Sequence, residues 1–118
     1  MDSVVVKSLD ANAVRASADD YAARLLATRA DVEELVIFGS FENGTWAPGS
    51  DLDVLIVLTA ADRPVRDRIP DFLPDRFPVP VDVFPYTRQE LQDRADSPLM
   101  AAVAASRWRY RRSSPSAA

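Results

Sequence analysis

The chain has no cysteine and no histidine in 118 residues. Without cysteine there is no disulfide framework, no thiol nucleophile and no thiolate metal site. Without histidine, Ser-His-Asp and Cys-His catalysis are excluded, as are zincin sites and the commonest ligand of transition metals. A metal centre here must be built from oxygen, which selects magnesium, manganese or calcium. Lysine occurs once, at Lys7, so arginine supplies nearly all the positive charge. The formal net charge is −4, and an acidic chain lacks the clustered basic surface that grips a phosphate backbone, which argues against nucleic acid as a ligand. No apolar run reaches the roughly 18 residues of a membrane span, and the N-terminus has no secretory pattern, so the expectation is a soluble cytoplasmic protein with no membrane partner. Glycine is also scarce. All three, Gly39, Gly44 and Gly49, fall in one short stretch, GSFENGTWAPGSDLDVLIV.

The length fits one compact domain, read as residues 1–112, followed by a disordered tail, SSPSAA, at 113–118. With 47% hydrophobic residues the chain can build a real but small core. Residues 1–8 read as extended. From Asp10 to Arg29, Val14, Ala18, Tyr21, Ala22, Leu25 and Leu26 recur at helical spacing, with Asp10 as a cap. Glu33–Ser40 reads as a short buried strand ending at Gly39, and Asp51–Leu58 as a second, covered on both faces. Pro64, Pro70 and Pro74 are expected to interrupt any helix in 62–76. A third strand spans Val79–Tyr86. Thr87 and Glu90 form a capping box for a short helix through Arg94, and Ser97 caps another to about Ala105. The alternation in SRWRYRR reads as an edge strand.

A strand that ends in Gly-Ser and turns sharply leaves backbone N–H groups able to converge on an anion, and a helical turn starting at Ser40 would add a favourable dipole. Taken alone, the pair is as consistent with a plain structural turn. Asp51 and Asp53 are two residues apart, so in a strand they face the same side, about 6–7 Å apart. Two carboxylates there repel each other and resist desolvation, unless a divalent cation lies between them. A solvated strand end is the plainer reading of an isolated D-x-D. Asp82 shifts the balance, because it is an acid inside an apolar strand, VPVDVFPY. If that strand lies beside Asp51–Leu58, three carboxylates meet on one surface, as two-magnesium phosphoryl-transfer chemistry requires.

Gly39-Ser40, ten intervening residues and then Asp51-x-Asp53 resembles the G-S-x10-D-x-D signature of the DNA polymerase beta-like nucleotidyltransferases. The similarity is to their small single-domain members, the minimal nucleotidyltransferases, and Gly44, Ser50-Asp51 and the later Asp82 agree with it. The resemblance implies an α+β (α/β) nucleotidyltransferase fold, with a mixed sheet of four to five strands and helices mainly on one face. It assigns Gly39, Ser40 and Ser50 to a nucleoside triphosphate, ATP above all. It assigns Asp51, Asp53 and Asp82 to catalysis and to metal, as two Mg2+ ions with Mn2+ as the substitute. The implied reaction transfers a nucleoside monophosphate to a hydroxyl and releases pyrophosphate. Small relatives often pair with a helical HEPN-type toxin partner as antitoxins, some transferring AMP to its tyrosine; a homodimer is the other expected assembly. The chain departs from the usual pattern at Glu42 and Asn43, where many members carry Ala-Arg, and Trp46 and Pro48 make the loop bulkier and stiffer.

Arg107, Arg109, Arg111 and Arg112, interleaved with Trp108 and Tyr110, read as a charge-protected edge strand rather than a nucleic-acid or acidic-partner surface. The set Arg63, Arg66, Asp67, Arg68, Asp71 and Asp75 reads as a solvated face, from which an arginine could reach the triphosphate. Trp46 either stacks on a base or covers the core. Tyr86 and Thr87, just after the third acid, are expected at the acceptor pocket. Two other functions stand beside the transferase: a binding module that keeps the fold and acts by contact alone, and, ranked last, a metal-dependent phosphoesterase.

Overall fold

The computed structural model describes residues 2–47 and 49–112, with side chains from Ala11 onward. The expectations for the 113–118 tail and for Pro48 lie outside these residues. Helix α1 spans Asp2–Thr28, so residues 2–8 are helical rather than extended and Asp10 lies inside the helix instead of capping it. Val4, Val5 and Val6 carry strand propensity, yet no glycine or proline interrupts this stretch, and a helix once nucleated extends at little cost per residue. Strand β1 (Val32–Phe38) leads into α2 (Ser40–Asn43), β2 (Leu52–Leu58), α3 (Val65–Phe72), β3 (Val81–Thr87), α4 (Arg88–Asp93), α5 (Pro98–Ala105) and β4 (Trp108–Arg111).

The four strands form one mixed sheet in the order β3-β2-β1-β4. β1 is antiparallel to both β2 and β4, whereas β2 and β3 are parallel and joined through α3. The central pair is buried on both sides, as its unbroken apolar runs imply. On one face Leu35, Ile37, Leu52, Val54, Ile56 and Val83 pack with Val14, Ala18, Tyr21 and Ala22 of α1 and Phe72 of α3. On the other, Val36, Phe38, Leu55 and Val57 meet Leu91 of α4 and Val103 of α5. The long α1 and α3 therefore cover one face, and the two short helices close the second. Trp108 and Tyr110 of the edge strand β4 pack toward the α1 face, as the edge-strand reading expects.

Capping follows local chemistry. Thr87 and Glu90 exchange side-chain-to-backbone bonds in a complete capping box, and Ser97 accepts from the Met100 N–H with Pro98 in the first turn. The prolines of 62–76 do not abolish a helix. Pro64 occupies the N-cap of α3, and Pro70 lies inside it, at the sixth residue of eight, where it removes one bond of the ladder but does not end the helix before Phe72.

Arg68 corrects the solvated-face reading. It is buried on α3 and forms a two-point pair with Glu90, at 2.7 and 3.0 Å, while also donating to the carbonyls of Pro85 and Arg63. One guanidinium thus ties α3, β3 and α4 together. The bonds from Arg68 hold the Glu90 carboxyl down to about 2 from its ordinary 4.5, against the opposing effect of burial. The folded value lies below the unfolded one, so this stabilisation is complete above about pH 4.5 and disappears as the pH falls toward about 2. Glu90→Gln keeps the cap but removes the charge that compensates Arg68, and should cost about 2 kcal/mol at neutral pH. Denaturant melts from pH 7 to pH 2 check this: the difference between wild type and variant should shrink as the acid limb is crossed.

Candidate active site at the sheet end

The end of the sheet where β1 finishes and β2 and β3 begin collects the residues singled out by the sequence. Register pairs Phe38 with Asp53 and Asp53 with Asp82, so one row across the sheet carries two acids on adjacent strands. Asp51 precedes β2 by one residue and lies close enough for its charge to act on Asp82. Asp53 is half-buried, whereas Asp51 and Asp82 are exposed. Burial, and then the charges of Asp82 and Asp51, push the Asp53 carboxyl above its ordinary range. Burial, followed by the charge and hydrogen bond of Asp51, does the same for Asp82. These are the marks of like charges kept close by the fold.

Gly39 forms the opposite wall. Its φ of 83° lies in the region glycine favours, and a Cβ added there would stand 2.4 Å from Asp53 Oδ2. The main chain therefore passes directly against the carboxylate. Ser40 follows as the first residue of α2, giving the helical turn the sequence anticipated, and Gly44 ends that turn in the left-handed conformation, its N–H on the Ser40 carbonyl.

The loop is braced from within. Asn43 Oδ1 accepts from the N–H and hydroxyl of Thr45, and Ser50 Oγ accepts from the Ala47 N–H while the Ser50 N–H returns to the Ala47 carbonyl. Ser50 is thus engaged in closing the loop, beside Asp51. Trp46 lies flat on Phe41, ring centroids 5.2 Å apart, and Phe41 in turn packs on the α1-face core. Tyr86 and Thr87 sit at the other end of β3 from Asp82, because the strand is extended between them, so they do not border this site.

As the side chains stand, no group of three acidic residues among those described is arranged to hold a metal ion. Asp51, Asp53 and Asp82 nevertheless offer only oxygen, in a cluster whose charge is uncompensated, and that donor set suits a hard divalent cation such as magnesium. Grooves of about 450 Å³ between α1 and the segment after α3, and of about 410 Å³ near Arg29 and Arg63, are lined by none of the three acids.

The four arginines near the chain's end separate. Arg109 and Arg111 pair with buried Glu34, and Arg112 donates to the carbonyls of Leu26, Arg29 and Val32. Arg107 is exposed, and only its backbone N–H has a partner, Glu42 Oε2 at 3.2 Å.

Comparison with known proteins agrees with this geometry. A family model described as the nucleotidyltransferase domain matches residues 21–105. No curated protein and no solved structure matches the chain. Among the described residues no helix is long and apolar enough to cross a membrane.

The close approach of Gly39 to Asp53 makes a quantitative prediction. Gly39→Ala should cost about 3 kcal/mol, from backbone strain together with displacement of the carboxylate. Gly44→Ala, whose added Cβ meets nothing within 4 Å, should cost only about 1 kcal/mol of left-handed strain. A double-mutant cycle with Asp53→Ala should return the steric part of the Gly39→Ala loss and leave the φ strain.

Proposed function

The chain belongs to the nucleotidyltransferase domain family, and on that premise we propose that it is a magnesium-dependent enzyme moving a nucleoside monophosphate, AMP from ATP foremost, to a hydroxyl acceptor. The observation that carries this reading is the Asp53–Asp82 register, with Asp51 alongside and the Gly39 turn pressed against Asp53. Gly39 and Ser40, with Ser50 at the loop's far end, would receive the triphosphate through backbone N–H groups and hydroxyls. Asp51, Asp53 and Asp82 would hold divalent metal, which when bound neutralises phosphate charge and lowers the pKa of the attacking oxygen. Asp82, exposed at the start of the edge strand β3, would position the acceptor hydroxyl and take its proton. The acceptor oxygen would then bond to the α-phosphorus as its bond to the α,β-bridging oxygen breaks, and pyrophosphate would leave with the electron pair.

The acceptor we favour is a tyrosine of a HEPN-type helical toxin, with this chain as its cytoplasmic antitoxin. The support is twofold: Asp51 and Asp82 are exposed and so open to a side chain of another protein, and the resemblance is to minimal members of the family. The alternative, a non-catalytic module that binds nucleotide or partner, is favoured by one observation: Glu42 puts a negative charge in the turn that begins at Ser40, where the triphosphate would lie.

Incubation with magnesium and each α-labelled nucleoside triphosphate, with and without a helical partner protein, separates the two. Wild type should transfer label and Asp53→Asn should not. Without divalent metal, Asp53→Asn should melt a few degrees above wild type, since it removes one of three mutually repelling charges. A protein that binds its partner equally well after the substitution and never transfers label is the binding module.

A further inference from the structure

Thirteen arginines are shared among helices, loops and the edge strand, and most are spoken for. Arg15, Arg24, Arg29, Arg63, Arg66, Arg68, Arg88, Arg109 and Arg111 form ion pairs, while Arg94 and Arg112 donate to carbonyls. Among the described residues this leaves two guanidinium groups with no ionic or hydrogen-bonded partner, those of Arg76 and Arg107. Arg76 lies in the segment between α3 and β3, on the groove beside α1. Arg107 lies at the acid end of the sheet.

Its placement follows from register. Ile37 pairs with Trp108 at the end of the antiparallel β1–β4 ladder, and Arg107, the residue just before β4, continues that line one step beyond it, toward Phe38. Phe38 is level with Asp53, and Asp53 with Asp82. One line across the sheet therefore runs Asp82, Asp53, Phe38, Arg107, which sets Arg107 two strands, or about 10 Å, from Asp53. Trp108 packs on the α1 face and Arg109 reaches the Val103 carbonyl of α5, so alternation gives Arg107 the same face as Asp53. The corner is held firmly. The Ser106 hydroxyl donates to the Ile37 carbonyl and accepts from the Trp108 N–H, while the Arg107 N–H is held by Glu42 in the helical turn that begins at Ser40. The Gly39–Ser40 turn thus lies between three carboxylates on one side and a solvent-facing arginine on the other.

We propose that Arg107 is the binding residue for the β- and γ-phosphates, reaching over the Gly39–Ser40 turn to the end of the triphosphate remote from the acids. The inference rests on the nucleotidyl-transfer reading and adds a direction to it: the α-phosphate lies toward Asp53 and the leaving pyrophosphate toward β4. A guanidinium suits this task because its planar fork makes two-point bonds to phosphate oxygens. It also explains why, beside Arg109, Arg111 and Arg112, whose head groups are engaged, Arg107 has a head group that bonds to no other described residue.

Titration calorimetry with Mg-ATP and Mg-AMP on wild type, Arg107→Gln, Arg107→Lys and Arg76→Gln tests it. Arg107→Gln should bind ATP about tenfold more weakly or worse, with AMP affinity unchanged, since only ATP carries the phosphates in question. Arg107→Lys should recover part of the loss, and Arg76→Gln should match wild type. The side chain of Arg107 bonds to nothing in the fold, so thermal melts of all four proteins should coincide. Unaltered ATP affinity in Arg107→Gln, equal losses for ATP and AMP, or an equal loss in Arg76→Gln would each overturn the assignment while leaving nucleotidyl transfer intact. A wild type that binds neither nucleotide would overturn both.

Discussion

Burial of β1 and β2 on both faces is the constraint from which the rest of the molecule follows. Each of Leu52, Val54, Leu55 and Ile56 is almost wholly removed from water, and full burial of such a side chain is worth about 1.5–3 kcal/mol. A slip of one residue between the strands would exchange the two apolar faces, so the register is fixed by the core. The parallel pairing of β2 with β3, in which Val83 joins the same core face as Val54, brings Asp53 level with Asp82. Repulsion between a half-buried and an exposed carboxylate is small beside the burial of a whole strand, so the core wins and the acids are held in a conflict they cannot relieve by moving apart.

The same argument gives the glycines their meaning. β1 must leave the sheet beside the Asp53 carboxylate, and only a residue without Cβ fits there. Beyond it the loop stabilises itself with short-range bonds from Asn43 and Ser50 and with the Phe41–Trp46 stack. Little of its shape is left to be imposed by a ligand. Glu42, which departs from the usual family pattern, is turned toward the Arg107 N–H, so its charge is engaged at the junction with β4.

Much of this was legible because the signals are local. Unbroken apolar runs gave both central strands, Thr87 with Glu90 gave a cap that is present in full, and Ser97 with Pro98 gave another. The meeting of Asp82 with Asp51 and Asp53 was conditional on strand adjacency, which the parallel β2–β3 pairing supplies. What stayed hidden depends on distant partners. Arg68 reads like its exposed neighbours until Glu90, 22 residues on, is brought against it. Arg107 could not be separated from Arg109, Arg111 and Arg112, because what distinguishes it is that its neighbours' head groups find partners and its own does not. The first turns of α1 were masked by a run of β-branched valines whose local preference the longer helix overrides.

The order of strands along the chain differs from their order in the sheet. β1, β2 and β3 come first and already set the three acids at one end of the sheet, whereas β4, last in sequence, lies beside the first strand. Pairing residues as far apart as Glu34 and Arg111 closes a long loop, and such non-local contacts are slow to form. During synthesis, which runs from the N-terminus, the acidic half of the site can be assembled while the sheet still has an open edge along β1. Its cationic counterpart arrives only when the final strand docks, so a nascent or truncated chain would hold the carboxylates without the arginine that faces them.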